Sequence, residues 1–261
     1  MNEEPAKEVR DGDLLQTLVR GLSVIACFDR AHARMTPTEV ARRTNLTRAA
    51  ARRILLTLVS TGHARTDGKT FELTARILEL GYSYLSSFGL PEVARTHMED
   101  VTRDLGESCS MAVLDRAEII YIASIPAQRI MEQVLEVGLR LPAHATALGQ
   151  VLMAALPDDE LMALLDSSPL RPLTAHTITD KEAFLERMEQ VRVQGYALAD
   201  EELELGVRSI AAPIRDRRNR VVAAIDVGAH VGRISIDRMR DEVLTKLRRA
   251  ANEIERPIGH L

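Results

Sequence analysis

Between Thr36 and Lys69 the sequence carries helix and turn signals in an order that few folds accommodate. Thr36-Pro37-Thr38-Glu39 sets an N-cap threonine before a proline at the first helical position, and a glutamate three residues on closes a capping box. The helix this starts, Pro37 to about Arg43, is short. Thr44-Asn45-Leu46 follows as a tight turn in which Asn45 can take the left-handed conformation that glycine often supplies. Thr47 caps a further helix whose Ala51, Ile54, Leu55 and Leu58 form the buried stripe, and Thr61-Gly62 stops it. Two short strands, residues 63–66 and 70–73, flank Asp67-Gly68-Lys69, an Asp-Gly hairpin turn. Upstream, Leu14, Leu15, Leu18, Leu22, Ile25 and Ala26 recur at helical spacing. Helix, capped helix, turn, helix and hairpin spell a winged helix-turn-helix, the architecture of a sequence-specific DNA reader.

The charge distribution agrees. Residues 14–76 hold eleven Arg or Lys against four Asp or Glu, a net +7, whereas the rest of the chain holds 23 against 34, a net −11. A basic module joined to an acidic one fits a nucleic-acid binder with a second task. The second helix of such a motif enters the major groove with its N-terminal residues at the base edges. Here that end reads Thr47-Arg48-Ala49-Ala50-Ala51-Arg52-Arg53, with Arg48 and Arg52 on one face opposite Ile54 and Leu58. Arginine grips guanine through two donors, so Arg48 and Arg52 are the expected base readers, with Thr47 beside them and the small Ala49 permitting close approach. Thr36, Thr38, Arg42 and Arg53 are placed for phosphates. Arg65 and Lys69 flank the hairpin tip and would reach an adjacent groove or the backbone. Any one arginine could be a solvated surface charge. Five between Arg42 and Arg53 with no acid among them are harder to read that way.

Residues 1–13 read as a polar, disordered tail, 14–76 as the DNA-binding domain, 77–90 as a linker helix and 91–261 as an effector-binding and oligomerisation domain. In the last, helical and strand patterns mix: helices over 91–105, 145–156, 158–165, 180–193 and 235–254, and strands over 110–114, 118–124, 129–137, 196–199, 209–215 and 221–228. The fold class is therefore α+β, with a GAF-like antiparallel sheet flanked by helices. No apolar run is long enough to span a bilayer, and the N-terminus lacks a signal peptide's basic start and apolar run. Two distant cysteines suit a reducing cytoplasm rather than a disulfide framework. No catalytic constellation stands out: there is no Gly-x-Ser-x-Gly, no phosphate-cradling loop, and the seven histidines lack metal-ligand spacing. No enzyme activity, metal or cofactor is expected, an enzyme fused to a DNA-binding domain being the rival reading.

Four segments carry a resemblance to the IclR family of bacterial regulators. They are Leu18-Val19-Arg20-Gly21-Leu22-Ser23-Val24, Arg52-Arg53-Ile54-Leu55-Leu56-Thr57-Leu58, Leu141-Pro142-Ala143-His144-Ala145-Thr146-Ala147-Leu148-Gly149, and the stretch from Gly195-Tyr196 through Glu202 to Gly206-Val207-Arg208-Ser209-Ile210-Ala211-Ala212-Pro213. The resemblance covers nearly the whole chain. It implies a dimer or dimer of dimers whose C-terminal domain binds a small organic molecule and governs contact with double-stranded operator DNA. Ala112-Val113-Leu114-Asp115, Arg129-Ile130-Met131, Leu173-Thr174 with Thr177-Ile178-Thr179-Asp180, and the run from Glu202 to Ala211 are similar to the branch that controls aromatic catabolism through protocatechuate and β-ketoadipate. Control of another small-carboxylate pathway is the alternative.

Carried over residue by residue, the family's pocket implicates Thr146, Ala147, Leu148, Val207, Ser209 and Asp226. Three positions depart from its usual pattern: Ala199 replaces an acid, Asp226 a small polar residue, and Arg215 an aromatic ring or histidine. Free N–H groups at a helix start suit a carboxylate. A small acid would also want a cation, and Arg129, Arg208 and His144 are candidates, each equally readable as a structural ion pair or surface charge. Cys109, on an expected strand, reads as a core residue before a reactive thiol and stands among the effector-binding candidates. Asp200-Glu201-Glu202-x-Glu204 reads as a solvated turn.

Overall fold

The computed structural model describes residues 14–77, 90–127 and 135–258. The chain divides into two compact units, one up to Tyr84 and one from Leu85. The expected tail (residues 1–13), nearly all of the linker helix (77–90) and the first part of the expected strand 129–137, with Arg129, lie outside the described residues.

The first unit holds α1 (Gln16–Ala26), α2 (Pro37–Thr44), α3 (Arg48–Ser60) and a hairpin of β1 (Ala64–Thr66) and β2 (Phe71–Leu73). Its local signals act as their chemistry dictates. The Thr36 hydroxyl accepts from the Glu39 N–H while the Glu39 carboxylate accepts from the Thr36 N–H, Asn45 takes φ 53° at the end of α2, and Thr47 accepts from the Ala50 N–H. Val24, Met35, Val40, Ala41, Ala51, Leu55 and Phe71 form its buried core. Met35 pairs with Phe71 through two backbone hydrogen bonds of 3.0 and 2.8 Å, adding a one-residue third strand to the hairpin. Helix α1 differs from its expected role. It forms, but Leu15, Leu18, Val19 and Leu22 stand 75, 59, 45 and 54 % exposed.

The second unit opens with α4 (Leu90–Leu105) and builds a six-stranded antiparallel sheet from β3 (Ser108–Asp115), β4 (Glu118–Ile125), β5 (Arg140–Pro142), β6 (Ala197–Asp200), β7 (Val207–Arg215) and β8 (Val221–His230). Their spatial order is β5-β4-β3-β8-β7-β6. Three further helices, α5 (Ala147–Ala154), α6 (Asp158–Ser167) and α7 (Lys181–Gln194), lie between β5 and β6 in the chain, and α8 (Leu244–Ile258) closes it. Strand alternation divides the side chains into two cores. On one face Met111, Ile122, Ile210, Ile214, Ile225 and Val227 bury against Ala94 and Met98 of α4 and Leu247 and Ile254 of α8. Each such large side chain contributes roughly 1.5–3 kcal/mol. On the other face the strands present Ala112, Ala211 and Ala224, whose small side chains let α5 settle close, with Phe184 and Met188 of α7 behind it.

Three expectations are corrected here. Within 129–137 the described residues from 135 on are not a strand; pairing begins at Arg140. The helix expected over 145–156 is interrupted: a 3-10 turn at Ala143–Ala145 ends at Thr146, whose extended backbone (φ −116°, ψ 143°) makes it the cap of α5. The closing helix is likewise broken by a π-turn at Met239–Val243, which keeps Met239, Val243 and Leu247 all buried against the sheet.

The seat of α5 depends on Gly149. A Cβ there would lie 2.1 Å from the Ala143 carbonyl oxygen and 2.4 Å from its Cα, both backbone atoms in a fully buried turn. Gly149→Ala should therefore destabilise the protein by about 3 kcal/mol, the upper part of the overpacking range, instead of gaining the helix propensity of alanine. Denaturant melts of the two proteins check this; equal or higher stability of the variant would show that α5 can lift without penalty.

Candidate DNA-reading surface and ligand face

On α3, Ala51 and Leu55 face the core while Thr47, Arg48, Ala49, Arg52 and Arg53 are exposed. Arg48, Arg52 and Arg53 hold no ion pair among the described residues, and the same is true of exposed Arg42 on α2 and Lys69 at the hairpin tip. The tip is preorganised. The Asp67 carboxylate accepts from the N–H groups of Lys69 (2.9 Å) and Thr70 (2.7 Å), and these bonds hold its pKa down at about 2.

Other expected contacts have structural duties. The Thr36 hydroxyl donates to the Glu39 carboxylate (2.8 Å) and accepts from the Glu39 N–H, so it closes the capping box and is not left for a phosphate. Thr38 remains exposed. Arg65 bonds the Glu72 carboxylate through its Nε, and Arg34, which sequence reasoning passed over, bonds the other oxygen of the same carboxylate. Arg43 donates to Asp29 (2.8 Å) and to the Cys27 carbonyl (3.2 Å) and thereby braces α2.

In the second unit the structure sorts the expected effector residues by sheet face. Asp226 sits opposite Ser110 on β3 and Ala211 on β7, so Ser110, Ser209 and Asp226 share the face of Ala112, Ala211 and Ala224. Tyr121, opposite Ala112, joins them because an irregularity beside Met111 and Ala112 sends Ile122 into the other core. Above this face begins α5. Thr146 accepts from the Gly149 N–H (3.0 Å) and its carbonyl takes the Gln150 N–H, which leaves the N–H groups of Ala147 and Leu148 without a helical acceptor. Val207, on the same parity as Ser209, is 38 % exposed at the start of β7.

Three expected residues leave this group and a fourth lies beyond the described chain. Cys109 is fully buried in the core against α4 and α8, on the opposite side of the sheet, where burial pushes its thiol pKa up. Arg208 also has the opposite parity, donating to Asp200 (2.6 Å) and the Ile234 carbonyl (2.8 Å) as a structural ion pair. His144 lines a separate cleft of about 380 Å³ with Pro142, Met153, Leu164 and Leu170. Its Nε2 lies 3.0 Å from the Arg171 carbonyl oxygen, and burial lowers its pKa. Arg129 is the fourth. Arg215, the other departure noted in the sequence, lines a groove at the far end of β7 with Arg192 and Arg220.

The acidic run 200–204 is not a solvated turn. Glu202 is 5 % exposed and Gln150 fully buried. The Gln150 Nε2 bridges the His144 carbonyl (3.0 Å) and the Glu202 carboxylate (2.7 Å), while Thr177 donates to the Glu202 carbonyl (2.6 Å). Burial raises the Glu202 pKa against the opposing pull of Arg187. This network ties the start of α5 to the loop leading into β7.

Residues 17–68 match the family described as IclR helix-turn-helix domain, and residues 82–256 that described as Bacterial transcriptional regulator IclR C-terminal. The chain belongs to the IclR family. It is a DNA-binding transcriptional regulator with a ligand-responsive C-terminal domain, and its relatives are named as regulators, not enzymes. It is 38% identical over 255 residues, 96% of its length and 88% of the relative's, to the Pca regulon regulatory protein of Pseudomonas putida. Its fold matches that of a transcriptional regulator from Rhodococcus sp. RHA1 with a TM-score of 0.84 at 45% identity, covering 95% of this chain and 99% of that one. An IclR homolog from Microbacterium hydrocarbonoxydans, solved in complex with 4-hydroxybenzoate, matches at a TM-score of 0.84 and 26% identity over 94% of this chain and 100% of that one. No described helix is long and apolar enough to cross a membrane.

Asp226 gives this IclR-family chain a measurable pH signature. Burial pushes its pKa up to about 8, with only the Ser110 backbone N–H drawing it back. From the ordinary carboxyl range up to about 8 the folded protein holds a proton that the unfolded chain has released, so stability falls as pH rises through that window. Relative to Asp226→Asn, the wild type should lose about 1.4 kcal/mol per pH unit there. Denaturant melts at stepped pH read the difference, and parallel profiles would mean that Asp226 ionises as an ordinary carboxyl group.

Proposed function

We propose that this regulator controls genes for the breakdown of aromatic acids, and that a small aromatic carboxylate binding the α5 side of the sheet is the signal it reads. The observation that carries the reading is a pairing of opposite demands on one face. The Ala147 and Leu148 N–H groups call for an anion, while Asp226, protonated below about 8, is a hydrogen-bond donor or acceptor for a second polar substituent. Tyr121, Ser110 and Ser209 add hydroxyls, and Ala211, Ala224 and Leu148 an apolar surface for a ring. A hydroxylated benzoate has those parts. The names of the Pseudomonas putida and Microbacterium hydrocarbonoxydans proteins, which point to the Pca regulon and 4-hydroxybenzoate, support the same chemistry.

On the DNA side, Arg48 and Arg52 read bases with Thr47 and Ala49 at their edge, and Thr38, Arg42, Arg53, Arg65 and Lys69 hold phosphates. Residues 14–76 act as the reading head and 91–261 as the sensing and assembling part, joined through 77–90. The ligand acts by binding two arrangements of paired heads with different affinity.

That ligand is tested by thermal shift and DNA release with protocatechuate, 4-hydroxybenzoate, β-ketoadipate and acetate. An aromatic acid at a hundred times its Kd should stabilise the protein by about 2.7 kcal/mol and change its affinity for DNA, and Asp226→Ala should abolish both effects. If β-ketoadipate or acetate alone does so, the signal is an aliphatic acid and the aromatic reading fails.

Pairing of heads accounts for the bare face of α1. Leu15, Leu18, Val19 and Leu22 follow one another at i, i+3, i+4 and i+7, a single exposed stripe in the unit that carries α3. A helix-turn-helix protein reads two half-sites about one helical turn or a multiple apart, and a stripe meeting its own copy across a two-fold axis sets such a spacing. Leu18→Asp with Leu22→Asp should weaken self-association in sedimentation and cooperative binding to DNA, with the fold retained. Unchanged association would place the dimer contact elsewhere.

A further inference from the structure

The outer face of the small sheet carries three charged side chains in a row. Met35 pairs with Phe71, and Arg65 pairs in register with Glu72, so Arg34, Glu72 and Arg65 stand side by side across three strands. Alternation separates them from the core: Met35, Phe71 and Ala64 are buried, and their neighbours in sequence point out. Glu72 bonds the Nε of Arg34 with one carboxylate oxygen and the Nε of Arg65 with the other. Its side chain is 15% exposed, whereas those of Arg34 and Arg65 are 65% and 73% exposed. The carboxylate therefore sits low between two guanidinium groups whose Nη donors hold no hydrogen bond among the described residues. A guanidinium has five N–H donors, and each of these spends one on Glu72.

We propose that Arg34 and Arg65 form a phosphate contact on this face, and that Glu72 both fixes their orientation and limits how strongly they grip DNA of any sequence. The inference rests on the reading that α3 and the adjoining hairpin form the surface that docks on DNA. Two arginines held by one carboxylate carry a net charge of one, and the Asp67 carboxylate lining the same hollow lowers it further. An arriving phosphate gains two preset forks but meets a carboxylate beneath them. Phosphate contacts carry no sequence information and make binding salt-dependent, so Glu72 acts on the part of the affinity that operator and bulk DNA share. A regulator whose ligand must be able to change its hold on DNA benefits from a cap on that part.

The test uses the full-length protein, a duplex recovered from a random-sequence pool by selection on the wild type, and a scrambled duplex of the same length and composition. Arg34→Ala should weaken binding to both duplexes by a similar factor and reduce the slope of log affinity against log salt by about one. Glu72→Gln should tighten both several-fold with a steeper slope, and the gain should shrink when combined with Arg34→Ala. Melting temperatures confirm that each variant is folded. Arg52→Ala, run alongside, should cut the preference for the selected duplex. If Arg52→Ala does so while Arg34→Ala leaves the slope unchanged, or folded Glu72→Gln binds no more tightly, the docking surface stands and this inference is overturned. If Arg52→Ala leaves the preference intact, the docking surface itself is misplaced and the inference falls with it.

Discussion

Gly149 lies against the backbone of Ala143, and the geometry of the ligand face follows from that contact. With no side chain in the way, the first turn of α5 can rest on the preceding 3-10 turn and on the alanines of three strands beneath it. Thr146 is then held as a cap, and the first N–H groups of the helix stay open. One turn on, Gln150 reaches the Glu202 carboxylate and so fixes the loop that delivers Ser209. A side chain on Gly149 would disturb helix, loop and strand together, since all three are located by the same close approach.

Charge in this protein is used in two ways. In the C-terminal unit many arginines are paired with acids: Arg140 with Asp115 and Glu118, Arg187 with Glu202, Arg208 with Asp200, Arg238 with Glu242. The exposed pairs, at Arg140 and Arg238, add little stability, typically under about 1 kcal/mol each, while those at Arg187 and Arg208 each hold one buried partner, Glu202 and Arg208. On α3 the pattern reverses, and Arg48, Arg52 and Arg53 stand without an acid among the described residues. The acids near the reading head are spent elsewhere: Asp29 braces Arg43, Glu39 closes a cap, Asp67 shapes a turn and Glu72 lies between two arginines.

The sequence was most legible where structure is decided within a few residues. The capping box at Thr36, the left-handed Asn45, the Thr47 cap and the Asp-Gly turn each depend on near neighbours, and each appears in place. Site residues were legible only in part, because strand parity is set by the partner strand and not by the residue's own chemistry. Ser209 and Arg208 are adjacent in sequence and point to opposite cores; Cys109 and Ser110 do the same. The burial of Glu202 was hidden in a run of acids, since it depends on Gln150, 52 positions away in the chain. The role of Glu72 likewise depends on a pairing between Met35 and Phe71 that no local pattern announces.

The outermost strands of the six-stranded sheet, Arg140–Pro142 and Ala197–Asp200, have three and four residues, against eight to ten in the four between them. One of them ends in a proline, which has no N–H to donate. Among the described residues, therefore, each of these two edge strands offers an incoming chain only a short run of backbone on which to add, the route by which sheets fuse irreversibly into larger aggregates. Edges this short favour contacts between copies through side chains over a shared sheet. Contacts of that kind form and part without either partner giving up its backbone pairing, which suits a regulator that binds DNA reversibly.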